Sequence, residues 1–169
     1  MDKISPERRS ANMRAIRSAD TKPELVVRKL VFNAGYRYRL RDRKLPGKPD
    51  LVFASRKAVI FVHGCFWHLH GCPSVRVPKS NSDYWLPKLR RNRQRDIDNI
   101  ERLKALGWRV LTIWDCETSN ARNLMRVIRR FLNEGQRREN TKKRVPRESI
   151  VGQSESSRTQ ARVHARRAG

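Results

Sequence analysis

Apolar positions recur at helical spacing in three stretches of the chain and bunch into strand-like runs in four others. The first helical stretch has Thr21 as its N-cap, followed by Lys22-Pro23-Glu24. Leu25, Val26, Leu30 and Phe32 are its apolar positions, and Gly35 closes it as a C-cap. Residues 36–40 alternate aromatic and basic side chains, which predicts an edge strand. A polar loop containing Pro46-Gly47 leads to a strand at 50–53. After the turn Ser55-Arg56-Lys57, the run Ala58-Val59-Ile60-Phe61-Val62 is apolar without interruption, as a central strand covered on both faces would be. Residues 73–87 read as irregular. A basic helix is expected over 88–106, with Leu89, Ile97, Ile100 and Leu103 inward and Gly107 as its stop. A strand at 108–114 follows, and then a helix capped by Ser119 or Asn120 that carries Leu124, Val127, Ile128, Phe131 and Leu132. The order α-β-β-β-α-β-α predicts an α/β domain: a mixed sheet flanked by helices.

Two segments fall outside this pattern. Ser5-Pro6-Glu7 starts a thin helix in which Met13 and Ile16 sit among arginines, so residues 1–20 are expected to form an arm and not core. After 134, large apolar residues become sparse and arginines dominate, so residues 135–169 are expected to be a disordered basic tail. The division is therefore an arm at 1–20, a domain at 21–134 and a tail at 135–169. No internal repeats are present.

Charge narrows the partner. Among 169 residues, 40 Lys and Arg oppose 16 Asp and Glu, a formal net charge of +24. That excess calls for a polyanion, with nucleic acid first. No segment approaches the roughly 20 apolar residues that span a bilayer, and the N-terminus lacks an apolar signal core, so a cytoplasmic protein without membrane association is expected.

The chemistry is concentrated in His63-Gly64-Cys65-Phe66-Trp67-His68-Leu69-His70-Gly71-Cys72. These residues include two of the three cysteines and three of the four histidines in the chain. An odd number of cysteines in a reducing compartment argues against a disulfide framework. Thiolate and imidazole are zinc's preferred donors. Cys65, His70 and Cys72 fall at C-x4-H-x-C spacing, and Cys116 is the one cysteine left to complete a tetrahedron. These four are the expected structural Zn²⁺ ligands, which leaves His63 and His68 for other chemistry. Asp50 opens one strand, and the next strand ends at His63. A carboxylate placed there is a candidate ligand for Mg²⁺, which prefers oxygen donors.

Asn12-Met13-Arg14-Ala15-Ile16, Thr21-Lys22-Pro23-Glu24, Leu45 to Phe53, the His63–Cys72 run, Tyr84-Trp85, Asn92, Asp96 and Gly107-Trp108, in this order, resemble the very short patch repair endonucleases. The resemblance runs from about Ser5 to Leu132 and is carried above all by His-Gly-Cys-Phe-Trp-His. It implies a restriction-endonuclease-like fold. The implied activity is a nick in one strand of duplex DNA, 5′ to the T of a T:G mismatch left by deamination of 5-methylcytosine.

The resemblance also implies roles. Asp50 would ligate Mg²⁺ with the backbone carbonyl of Val62, and Glu24 would act through water. His68 would be the general base, oriented by Asp96, with His63 also at the scissile phosphate. Phe66, Trp67 and Trp85 would approach the base stack from the major groove and Met13 from the minor groove, with Asn92 among the DNA contacts. Restriction-type nucleases place Asp/Glu-x-Lys on the second strand; here Phe61-Val62-His63 stands there, as the family's histidine-for-lysine exchange implies. Valine at 62 replaces a threonine of the family, an exchange tolerable if only the carbonyl meets the metal.

The other readings are a zinc-containing nucleic-acid-binding protein without catalysis, and a restriction-type enzyme that cuts both strands of matched DNA. A monomer is expected. A mismatch-repair linker protein is a further partner the resemblance raises, and the sequence around the mismatch is left open.

Overall fold

The computed structural model describes residues 5, 8, 19–73, 75 and 82–144, the side chains of 135–144 excepted. The Met13 arm and residues 145–169 lie outside the described residues. At residue 8 the N–H donates to Ser5 Oγ at 3.3 Å, the bond expected of a Ser5 N-cap.

Among the described residues, three helices and a four-stranded sheet make a mixed α/β fold. In chain order these are α1 (Lys22–Asn33), β1 (Arg39–Leu40), β2 (Leu51–Phe53), β3 (Ala58–His63), α2 (Ser82–Ala105), β4 (Arg109–Trp114) and α3 (Ala121–Arg144). The sheet order is β1-β2-β3-β4. β1–β2 and β2–β3 are antiparallel, and β3–β4 is parallel. The continuous apolar run thus forms an interior strand, with all six residues of β3 buried. A parallel neighbour needs a crossover, and α2 supplies it.

The strands' period-two alternation divides the core. Leu51, Phe53, Ala58, Ile60, Val62 and Ile113 face α1 and α3, meeting Val27, Val31, Leu124, Ile128 and Leu132. Val52, Val59 and Phe61 face the other way, toward Leu103 of α2. His63 shares the parity of Val59 and Phe61, so the strand aims it to the α2 side.

Several expectations give way. In α1 the buried positions are Glu24, Val27, Arg28 and Val31, whereas Leu25, Val26 and Phe32 are exposed. An ion pair between Glu24 and Arg28, 2.8 Å apart, turns that face inward. α2 begins at Ser82, six residues before the expected start, and carries Pro87 within it. Tyr84 and Trp85 therefore lie on its first turns, where Trp85 packs on the aromatic loop. Ile97 is exposed instead of inward, and Val127 is exposed as well. β1 spans two residues of the expected five. Asn120, and not Ser119, caps α3, its Oδ1 accepting the N–H of Asn123 at 3.0 Å. α3 continues through Gly135 to Arg144, so the first ten residues of the expected tail are helical. The next proline is Pro146, and one glycine costs a helix only about 1 kcal/mol.

Gly47 pins the polar loop against α2. Its φ is +72°, and a Cβ there would meet the Asn99 side chain at 3.1 Å. No helix among the described residues is long and apolar enough to cross a membrane.

Candidate active site

The parallel register brings the site together. His63 pairs with Trp114, so β3 and β4 end side by side. The loop after β3 and Cys116, two residues past β4, therefore meet although they are distant in sequence. Residues 64–72 fold into a tight loop in which the His70 N–H donates to the Cys65 carbonyl at 3.0 Å and the His68 N–H to the Gly64 carbonyl at 3.3 Å. Leu69 and Gly71 take positive φ to turn the chain back.

One donor atom from each of Cys65, His70, Cys72 and Cys116 lies within 4.8 Å of the others. His70 stacks on Trp114, with centroids 4.1 Å apart and planes at 6°, and its Nδ1 is 3.5 Å from Cys116 Sγ. No disulfide joins the cysteines. Lost hydration, then the neighbouring Cys65 and Cys72, push the Cys116 thiol up to about 12. Three thiols whose anionic forms repel one another, beside one neutral imidazole, make a donor set that a soft or borderline cation stabilises. The set fits a tetrahedral ion.

Beside this cluster, a cleft of about 1060 Å³ is lined by Glu24, Asp50, Val62, His63, His68 and Asp96, with Arg41, Arg43, Lys48 and Arg95 around them. Six residues drawn from α1, the start of β2, the end of β3, the loop and α2 thus share one cavity. His63 and His68 stack face to face, with centroids 3.9 Å apart and planes at 7°. His68 Nδ1 hydrogen-bonds Asp96 Oδ2 across to α2. Burial, then the neighbouring His68, pushes His63 down to about 4, so it stays neutral at physiological pH. Asp50 Oδ2 accepts the Val62 N–H at 2.7 Å. Burial pushes the Asp50 carboxyl up to about 6 against that hydrogen bond, and the Glu24 charge adds to the rise.

Phe66, Trp67 and Trp85 form an edge-to-face cluster, with Phe66 4.9 Å from Trp67 and 5.4 Å from Trp85. Asn92 Nδ2 donates to the Trp67 carbonyl at 3.2 Å, tying the aromatic loop to α2.

The family model for DNA mismatch endonuclease Vsr matches residues 1–74. The type II nicking enzyme V.XorIIP of Xanthomonas oryzae pv. oryzae is 50% identical over 132 residues, which are 78% of this chain and 97% of that protein. This chain belongs to the Vsr endonuclease family. The DNA mismatch endonuclease Vsr of Escherichia coli is 46% identical over 108 residues, 64% of this chain and 69% of that protein. The type II nicking enzyme V.NmeAIP of Neisseria meningitidis is 42% identical over 133 residues, 79% of this chain and 95% of that protein.

The stretch matched by the Vsr model holds Glu24, Asp50, His63, His68 and three of the four Cys/His cluster residues. Trp85, Asn92, Asp96 and Cys116 lie beyond it, and it is the fold that brings them to the site. Sequence reading missed the groups that hold Glu24. Its carboxylate accepts from the Asp20 N–H and the Thr21 hydroxyl, both at 3.0 Å, and from Arg28. Asp20 in turn binds Arg28 and Arg41 at 2.5 Å each. The i,i+4 spacing of Glu24 and Arg28 was the available signal.

Proposed function

We propose that this protein nicks one strand of duplex DNA, 5′ to the T of a T:G mismatch produced by deamination of 5-methylcytosine, and so starts very short patch repair. The observation that carries the proposal is the Asp96-anchored His68 stacked on His63, in one basic-rimmed cleft with Asp50. A mixed sheet flanked by helices, with catalytic groups at one sheet end, suits a restriction-endonuclease-like fold.

The residues divide the work. A general base must hold a lone pair toward its proton and tolerate the charge it gains. Asp96 accepts from His68 Nδ1, which fixes the tautomer with Nε2 as the acceptor and supports the imidazolium once a water proton is taken. His63, neutral and buried, offers a hydrogen bond to the phosphate without repelling the protonated His68. Arg41, Lys48 and Arg95 attract and orient the phosphates. Asp50 and the main-chain carbonyl of Val62 would hold Mg²⁺, with Glu24 acting through water; when bound, this ion supplies charge neutralisation at the phosphate. The Val62 side chain belongs to the core on the α1 and α3 face, so valine for threonine there still offers an ion the carbonyl. Cys65, His70, Cys72 and Cys116 would hold Zn²⁺, which when bound cross-links the loop to the end of β4.

Mismatch selection falls to the aromatic cluster. Unstacking costs least where pairing is already weak, and Phe66, Trp67 and Trp85 brace one another as a wedge would need. Met13 is proposed for the opposite groove, and Asn92 holds the wedge in place. Trp85→Ala is expected to weaken binding to a T:G duplex by about 1–3 kcal/mol and to leave matched-duplex binding unchanged; competition binding against both duplexes reads the difference.

Residues 145–169 add five arginines and two glutamates. Their proposed role is sequence-independent attraction to phosphates. Truncation after Arg144 is expected to reduce the slope of log affinity against log salt by about 2–4, measured on matched duplex from low to physiological salt. A cytoplasmic monomer acting on chromosomal DNA fits these features.

A plasmid carrying one T:G mismatch tests the function. With Mg²⁺ it is expected to become open circular and not linear, and with EDTA to stay supercoiled. Conversion to linear DNA would favour a double-strand cutter, and binding without conversion would favour a non-enzymatic binder.

A further inference from the structure

We infer that Arg28, braced by Asp20, is a positioning residue for the divalent-ion site: it holds the Glu24 carboxylate so that one acceptor position stays open to water in the cleft. This role rests on the reading of Asp50 and Glu24 as the carboxylates of that site.

The guanidinium of Arg28 is shared between two carboxylates. Its Nη2 donates to Glu24 Oε2 at 2.8 Å, and its Nη1 donates to Asp20 Oδ1 at 2.5 Å. The Asp20 N–H donates to the same Glu24 Oε2, and the Thr21 hydroxyl donates to Oε1, both at 3.0 Å. An ionised carboxylate has about four acceptor positions. Three are filled among the described residues, and the fourth lies on Oε1. Glu24 is buried yet lines the cleft with Asp50, so a water there can take that position.

A need for stability alone does not explain this arrangement. Apolar side chains of similar volume hold a helix as well as a buried ion pair does, or better. Two features of the network also work against the fold. Asp20 takes a left-handed φ of +57°, uncommon outside glycine, which brings its N–H to Glu24. Arg28 Nε is buried and has no hydrogen-bond partner among the described residues. Lysine at 28 would keep the charge, but it has no planar fork to fix two carboxylates at once. Asp20 Oδ1 also accepts from Arg41 Nη2 at 2.5 Å, and Arg41 lines the same cleft. Asp20 thus ties the arginine that holds Glu24 to an arginine placed to meet phosphate.

Ion binding is tested on the full chain without DNA, with Mn²⁺ as the probe and the resonance of free Mn²⁺ as the readout. The parent is expected to take up Mn²⁺, and Asp50→Ala to lose it, which assigns the uptake to the cleft. Arg28→Lys is expected to bind Mn²⁺ about 10–100-fold more weakly. Asp20→Gly keeps the left-handed turn and removes the half-exposed brace. It is expected to weaken Mn²⁺ binding by about tenfold, and it decides the matter where Arg28→Lys does not fold. In the nicking assay both variants are expected to need correspondingly more Mg²⁺ for half-maximal rate, with the rate at saturating Mg²⁺ within about threefold of the parent. A folded variant that binds Mn²⁺ as tightly as the parent overturns the role. So does a lower maximal rate with no change in Mg²⁺ demand, the mark of a merely structural residue. A parent that takes up no Mn²⁺ overturns the carboxylate site and this role with it. A parent that takes up Mn²⁺ but never nicks contradicts the function proposed above and leaves the positioning result standing.

Discussion

Asp50→Ala is expected to lower the single-turnover nicking rate by about 10³-fold or more while duplex affinity stays within about threefold. Asp50 stands at the start of β2 opposite the end of β3, hydrogen-bonded to the Val62 N–H and beside both histidines. It is the carboxylate proposed to hold the divalent ion, and no neighbour replaces it: Glu24 is committed to Arg28, Asp20 and Thr21. DNA affinity comes from the basic rim, which the substitution leaves intact. Rapid-quench nicking and equilibrium binding on the same duplex separate the two effects.

The same residue gives a pH signature. Its folded carboxyl lies at about 6, above the ordinary 3.8. Protons therefore compete for it, and divalent-ion affinity is expected to fall roughly tenfold per unit as pH drops below about 6. The sign for folding runs with it. A raised carboxylate favours the protonated fold, so the metal-free stability that Asp50 contributes is present below 3.8 and lost as pH rises through about 6. Titration calorimetry at acidic and neutral pH reads the ion affinity.

Cys65→Ser is expected to have the second large effect, this time on the fold around the site. Cys65 is the buried member of the four-donor cluster. Losing it removes a proposed Zn²⁺ cross-link between the loop and β4 and leaves Cys72, His70 and Cys116 without a fourth donor. The main core of α1, α3 and the sheet is separate, so the domain is expected to persist, less stable by about 3–5 kcal/mol and melting roughly 10 °C lower. Nicking is expected to fall with it, because His68 sits on the same loop. Scanning calorimetry, paired with metal content, checks this: an unchanged melting temperature with no zinc lost would remove the cluster's structural role.

Much of this architecture was legible in the chain. The uninterrupted run 58–62 marked the interior strand because burial on both faces leaves no polar alternation to confuse it. Three members of the Cys/His cluster were legible from residue type within ten positions. Cys116 was reached by elimination; what joins it to the loop is the parallel register of β3 and β4, which no local pattern encodes. The inward face of α1 was misread because apolar counting pointed to Leu25, Val26 and Phe32, while a buried Glu24–Arg28 pair sets the helix's rotation. The start of α2 was misread because Pro87 looks like a boundary, yet the aromatic packing of Trp85 holds the preceding turn. The meeting of His68 with Asp96 was implied by resemblance alone, and the fold supplies it by setting α2 against the α2-facing side of β3.

The central claim is that this one cleft cuts a single strand at a mismatched thymine. Its most direct test is end-labelled mapping of the break in a duplex holding one T:G pair, beside the same duplex with T:A, in Mg²⁺. The account predicts one break, in the T strand, on the 5′ side of that T, absent from the T:A duplex and from samples with EDTA. Breaks in both strands, or equal cleavage of the matched duplex, would contradict it.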